Sequence, residues 1–188
     1  MCKIGLRFSC TFPLQVLKEI LFVCMQFDKF HVYLWSKNSR MSISKSNEKQ
    51  RVLDKRCLRM AEIWAENSYC KRRQVGVLIV KDKMIISDGY NGTPGGFENI
   101  CEDENGLTKP YVLHAEANAI TKIACSNNNS KDATLYVTAS PCIECAKLII
   151  QAGIKRVVYL EKYRITDGIE LLERAKIDVV YIGKDELN

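Results

Sequence analysis

No apolar run in this sequence is long enough to cross a bilayer. The clearest candidate, Ile20-Leu21-Phe22-Val23-Cys24-Met25, has Lys18 and Glu19 before it and Gln26, Asp28 and Lys29 after it, whereas a spanning helix needs about 20 predominantly apolar residues. An export signal fits poorly too, since no small-residue cleavage site follows. A large basic surplus is also missing. Of the net charge of +6, residues 1–40 contribute +4 (six Lys or Arg against Glu19 and Asp28), leaving +2 for residues 41–188. A domain that grips a polynucleotide through many phosphates carries a greater excess, so a nucleic-acid partner is not expected. There is no internal repeat and no second domain. Histidine is scarce too, with only His31 and His114 in 188 residues.

What is present suits one globular domain with a short extension. A hydrophobic fraction of 47% is enough for an ordinary core and excludes disordered and fibrous classes. Nine cysteines would imply a disulfide scaffold in a short secreted chain. The odd count and the missing export signal point instead to a reducing, cytoplasmic setting, with most of the cysteines as small buried hydrophobes. Residues 1–40 show neither clear periodicity nor helix caps, so they are expected to be an extension outside the fold. Met41 is then the working start and 41–188 the domain.

From about Glu48 to Asn67, Leu53, Cys57, Met60, Ala61 and Trp64 recur every three or four positions, which predicts an amphipathic helix. Val75–Val80 reads as a strand, Lys81-Asp82-Lys83 as a turn and Met84–Tyr90 as a second strand. Gly and Pro in Asn91-Gly92-Thr93-Pro94-Gly95-Gly96 end that strand, and a loop runs to about Pro110. There follow a helix Ala115–Cys125, a strand Thr134–Thr138 and a helix Cys142–Gln151 closed at Gly153. A strand Arg156–Leu160, a helix Asp167–Ala175 and a strand Val179–Ile182 complete the chain. The alternation predicts an α/β sandwich around one central sheet whose C-terminal half is parallel.

Two short segments carry chemistry: His114-Ala115-Glu116, opening one helix, and Pro141-Cys142-Ile143-Glu144-Cys145, opening the next. Cysteines three apart at a helix start bring both sulfurs close together, and the helix N-terminus favours thiolates over thiols. Pro141 suits a first turn that has no use for its missing N–H. One imidazole and two thiolates give zinc three protein ligands, and a tetrahedral ion then keeps one position for water, which is a catalytic count. A carboxylate beside that water can move protons, so Glu116 is the candidate general acid and base. Spacing alone does not bring His114 and Glu116 together, because positions i and i+2 do not share a helix face. Either segment alone has a bland reading: surface or core for His-x-Glu, and a redox pair or buried thiols for Cys-x-x-Cys. Together, with a strand between them, they form the signature of zinc-dependent base deamination.

At these residues the chain resembles the cytidine-deaminase superfamily, and within it the deoxycytidylate (dCMP) deaminases. The resemblance covers roughly residues 50–183. It includes Gly89-Tyr90-Asn91-Gly92, Pro110-Tyr111-Val112, the run from Ala146 to Lys155, and Tyr163-Arg164. It implies a three-layer α/β/α sandwich with a central five-stranded mixed sheet, one catalytic Zn2+, and dCMP converted to dUMP. It also implies a homo-oligomer regulated by dCTP and dTTP. Carried onto this sequence, it makes Asn91 a sugar contact and Arg72, Tyr163 and Arg164 candidates for the 5′-phosphate. Ala115 and Ser140 would line the base pocket. The loop holding Tyr90, Gly92, Gly95 and Gly96 resembles the segment associated with the allosteric nucleotide. Two plainer readings stay open: Asn91-Gly92 as a turn, and Arg72 as one solvated charge of Lys71-Arg72-Arg73. Cys70 and Cys101 stand where two ligands of some relatives' second zinc would be, but no histidine is left to complete it. Such a site is not expected, and these cysteines read as ordinary buried thiols.

Rival readings are a tRNA adenosine deaminase or another nucleobase deaminase of the superfamily, or an inactive zinc-stabilised regulatory protein. The modest domain charge and the long stretch between Asn91 and His114 disfavour the first. Glu116, which a merely structural metal would not need, disfavours the last.

Overall fold

A computed structural model describes residues 45–187 of the chain. The expected extension 1–40 and the start at Met41 lie outside the described residues. Helix α1 is described over residues 45–65, and from Gln50 onward it belongs to the compact unit Gln50–Asn188. The elements that follow are β1 (Gly76–Lys81), β2 (Met84–Tyr90), α2 (Ala115–Ala124), β3 (Thr134–Ala139), α3 (Ile143–Gln151), β4 (Arg156–Glu161), α4 (Asp167–Arg174) and β5 (Asp178–Tyr181). From β1 onward the boundaries differ from the sequence expectation by at most one residue, and α1 by two or three, as fraying ends do. No helix among the described residues is long and apolar enough to cross a membrane.

The five strands form one sheet in the order β2-β1-β3-β4-β5. Strand β1 runs antiparallel to both neighbours, while β3, β4 and β5 are parallel. The sheet is therefore mixed, with its parallel part C-terminal as expected. Asp82 and Lys83 both have positive φ, 50° and 65°, which gives the β1–β2 hairpin a two-residue turn matched to strand twist.

Alternation within the strands separates two cores. Val77, Ile79, Leu135, Val137, Val157 and Tyr159 face Ala119, Ile149 and Leu172 of α2, α3 and α4. Leu78, Val80, Tyr136, Val158 and Leu160 face Cys57, Leu58 and Ala61 of α1. The result is the expected α/β/α sandwich. The buried stripe of α1 is Asp54, Cys57, Leu58, Ala61 and Ala65, whereas Met60 and Trp64, expected on the core face, are exposed. The helix is turned by about one residue from the expected face, and Trp64 donates its indole N–H to Asp88 at the sheet edge instead. That rotation takes a carboxylate into the core.

Two close approaches fix the helix starts that matter. A Cβ on Gly89 would collide with the backbone of Ala115, and one on Gly168 with the backbone of Pro141 and Cys142. Glycine at these positions lets α2 start against β2 and lets α4 press on the start of α3.

Candidate metal centre and active site

His114 is the N-cap of α2, in extended conformation (φ −70°, ψ 153°), and Glu116 lies in the first turn behind it. Because His114 is outside the helix, its side chain does not follow the helical spacing that would turn it away from Glu116. Cys142 is likewise the N-cap of α3 (φ −74°, ψ 171°), with Cys145 in the first turn. The helix begins at Ile143, one residue later than expected, so one sulfur comes from the cap and one from the helix.

The geometry brings the three donors together. The Cys142 and Cys145 sulfurs lie 3.4 Å and 3.3 Å from His114 Nδ1, and all three ligand atoms fall within 4.8 Å of one another. In a tetrahedral zinc site with Zn–S of about 2.3 Å and Zn–N of about 2.0 Å, sulfur and nitrogen stand about 3.5 Å apart. The donor set therefore fits zinc in both chemistry and spacing. His114 is exposed, Cys142 half-buried and Cys145 buried, so the cluster is anchored in the core and opens outward.

Electrostatics support the same fit. The hydrogen bond from Cys145, and then that from His114, draw the Cys142 thiol down to about 3. The contact with Cys142, then burial and the charge of Glu116, push the Cys145 thiol far above its ordinary value. One thiolate is thus stabilised by its protonated neighbours and the second is suppressed, the situation that a divalent cation reverses when it takes both. The contact with Cys142 raises the His114 imidazole against the effect of burial. Burial raises the carboxyl of Glu116, which is 4% exposed.

A cavity of about 390 Å³ opens over this cluster, within the usual range for small-molecule sites. His114, Glu116 and Cys142 line it together with Ala115, Ser140, Asn91, Arg72, Tyr163 and Arg164. Cys145 is not in the lining, consistent with its burial. Tyr90, Gly92, Gly95 and Gly96 are not in it either; Gly92 bridges to Leu113, and Gly96 has positive φ, 88°. The Asn91 amide accepts from Val75 N–H at 2.8 Å and donates to the Arg73 carbonyl at 2.9 Å, so its orientation is fixed by backbone. Ser140 Oγ accepts from Tyr163 N–H at 2.8 Å. Arg72 is exposed and donates a backbone N–H to Glu102 at 3.1 Å and a guanidinium N–H to Thr108 at 3.4 Å.

Three features escaped sequence reasoning. Arg73 also lines the cavity and pairs with Glu161 at 2.6 Å; its only signal was membership of a basic triplet. Gly168 gave no signal, because a close approach between distant segments leaves no local pattern. Cys70 and Cys101, read as separate buried thiols, are joined as a disulfide with Cα atoms 5.1 Å apart, a separation that suits such a bond.

Residues 51–161 match the family described as "Cytidine and deoxycytidylate deaminase zinc-binding region". The chain belongs to that family. It is 34% identical over 174 residues to the deoxycytidylate deaminase of enterobacteria phage T4, covering 70% of this chain and 90% of that protein. It is 40% identical over 132 residues to ComE operon protein 2 of Bacillus subtilis, covering 68% and 69% of the two chains. Among solved structures it resembles the dCMP deaminase of cyanophage S-TIM5 in complex with dCMP and dUMP. There the identity is 43% and the TM-score 0.66, over 72% of this chain and 97% of that one.

Proposed function

We propose that this chain is a zinc-dependent deaminase that hydrolyses dCMP to dUMP and ammonia, feeding thymidylate synthesis. The observation that carries the reading is a buried carboxylate, Glu116, in the same cavity as a three-donor His/Cys/Cys set. His114, Cys142 and Cys145 would hold the zinc, which when bound would activate a water for attack on C4 of cytosine. Glu116 accepts a proton from the attacking water and delivers one to ring N3. It then takes the second water proton from the new C4 hydroxyl and delivers it to the amino group as the C4–N4 bond breaks, so that one water is consumed and one ammonia released. Its low exposure keeps the carboxylate out of competition with bulk solvent, and its raised proton affinity suits a group that must hold a proton between steps.

The rest of the cavity supports a nucleotide. Ala115, fully buried, and Ser140 form the wall assigned to the base. Asn91, held by backbone at both ends of its amide, keeps a second N–H and a lone pair for the sugar. Arg164, with Tyr163 and Arg72, is assigned to the 5′-phosphate. These three stand at the mouth, and Arg164 makes no ion pair among the described residues. The segment from Tyr90 to Gly96 is assigned to the effectors dCTP and dTTP in a homo-oligomer, on the family resemblance alone. The domain is kept at 41–188 and the setting as cytoplasmic, a setting in which the pairing of Cys70 with Cys101 is unusual.

Ammonia release from a panel of dCMP, deoxycytidine, CMP, adenosine and guanine tests the reading. The expected result is highest kcat/KM on dCMP. Faster release from a purine, or none from any cytosine compound, would refute it.

A further inference from the structure

The segment Lys162–Thr166 carries Tyr163 and Arg164 into the cavity, yet all of it is exposed. Something other than burial must hold its shape. Ser140 Oγ takes the Tyr163 N–H, and Lys162 stands over the Tyr181 ring at 4.5 Å. The third anchor is Arg73, which joins both ends of the segment's start: its guanidinium donates to Glu161, the last residue of β4, at 2.6 Å. It also stands over the Tyr163 ring at 5.6 Å. Arg73 is itself fixed, because its carbonyl accepts the Asn91 amide and β1 starts three residues on. Glu161 is held in turn by Lys184 at 2.6 Å.

Three arginines, Arg72, Arg73 and Arg164, line the cavity, but they are not equivalent. The charge of Arg73 is committed to Glu161, whereas Arg164 has no carboxylate among the described residues. We propose that Arg73 is a positioning residue: through Glu161 and the Tyr163 ring it holds the Lys162–Thr166 segment in the shape by which Arg164 selects a 5′-phosphate. This rests on the phosphate reading above. Arg73 acts on selectivity through Tyr163 and Glu161, not by touching the phosphate.

The pair is more than one-third exposed on both sides, so neither the ion pair nor the cation–π contact is large alone. Together they are expected to change selectivity about five- to tenfold.

The test is kcat/KM on dCMP and on deoxycytidine, with melting temperature, for the full chain and for Arg73→Ala, Arg73→Lys, Glu161→Gln and the Arg73→Ala/Glu161→Gln double variant. The dCMP-to-deoxycytidine ratio should fall about five- to tenfold in Arg73→Ala, mainly through KM for dCMP. It should fall less in Arg73→Lys, which keeps the charge, and should fall also in Glu161→Gln. The double variant should be no worse than the worse single, because one contact is lost once. Glu161→Gln, a small change at a partly exposed site, carries the test if Arg73→Ala fails to fold. A ratio that rises or holds in Glu161→Gln while falling in Arg73→Ala would mean that Arg73 grips the phosphate itself, and the proposal fails. Equal losses on both substrates with a lower melting temperature would reduce Arg73 to a fold contact and also overturn it. A wild type that favours neither substrate overturns the phosphate reading and this proposal with it. A wild type that favours dCMP, with a ratio untouched by Arg73→Ala, overturns this proposal alone.

Discussion

Two polar clusters, each with a buried carboxylate, lie on opposite faces of the same sheet, and they differ in how their bonds close. Under α1, Asp54 accepts from Arg156 through both carboxylate oxygens at 2.8 Å, from Tyr136 at 2.8 Å and from Gln50 at 2.9 Å. Arg156 also reaches Asp178. Every strong group there is answered by another protein group. Between α2 and α3, by contrast, His114, Cys142 and Cys145 converge on one point and Glu116 stands beside them in the lining of a cavity. The first arrangement is closed and serves the fold. The second is open toward a ligand, and its donors gain from a cation what they do not gain from each other. Burial of polar groups alone does not distinguish structure from function; the direction in which their bonds remain free does.

The comparison breaks if damage to one cluster has the consequence assigned to the other. The largest effect is expected from Cys142→Ala, which removes one of three ligands: the purified variant should carry well under one zinc per chain by metal analysis and show no measurable deamination. Asp54→Asn should instead keep its zinc but lose about 3 kcal/mol of stability in denaturant unfolding, because Arg156 and Tyr136 are left without their charged acceptor. Zinc loss from Asp54→Asn at a temperature where it is fully folded would show the clusters to be coupled.

The same cluster gives a pH dependence. Burial raises the Asp54 carboxyl, but the bonds from Arg156, Gln50 and Tyr136 outweigh it and hold the group below its ordinary 3.8. The folded value is depressed, so the stabilisation is fully present above 3.8. It is lost as pH falls through the folded value. Acid unfolding followed by circular dichroism should therefore show wild type losing stability relative to Asp54→Asn only below about pH 4, with the two curves approaching one another there.

A smaller effect is expected at the cavity mouth. Arg164→Ala should lower kcat/KM on dCMP about ten- to a hundredfold, the contribution of one or more charge-assisted bonds to phosphate, while the rate on deoxycytidine changes little. Comparable in size is Gly168→Ala, where a methyl group would meet the Pro141 carbonyl oxygen well inside contact distance. A destabilisation of about 1–3 kcal/mol is expected, with weakened zinc retention under chelator challenge. Unchanged retention would mean that α4 does not set the start of α3.

Much of this was legible in the sequence because it is local. The succession of strands and helices gave the sandwich and its parallel C-terminal half, and the positions of His114, Glu116, Cys142 and Cys145 near predicted helix starts gave the donor set. The convergence of His114 with Glu116 was not legible, since it depends on His114 being an extended cap rather than a helical residue. The face of α1 was misjudged because Trp64 and Met60 look like core residues, and Asp54 does not, until Arg156 is brought beside it from 102 residues away. Arg73 and Gly168 were invisible for the same reason: their partners Glu161 and Pro141 are remote in sequence, and no periodicity reports a tertiary contact.

The central claim is that Glu116 moves protons while the other three residues hold the metal. Glu116→Gln keeps the shape of the side chain and removes its capacity to accept a proton, so metal content and dUMP formation measured on the same sample separate the two jobs. About one zinc per chain with a fall of about 10³-fold or more in kcat on dCMP is the predicted result. Substantial dUMP formation by Glu116→Gln at full zinc content would contradict the account.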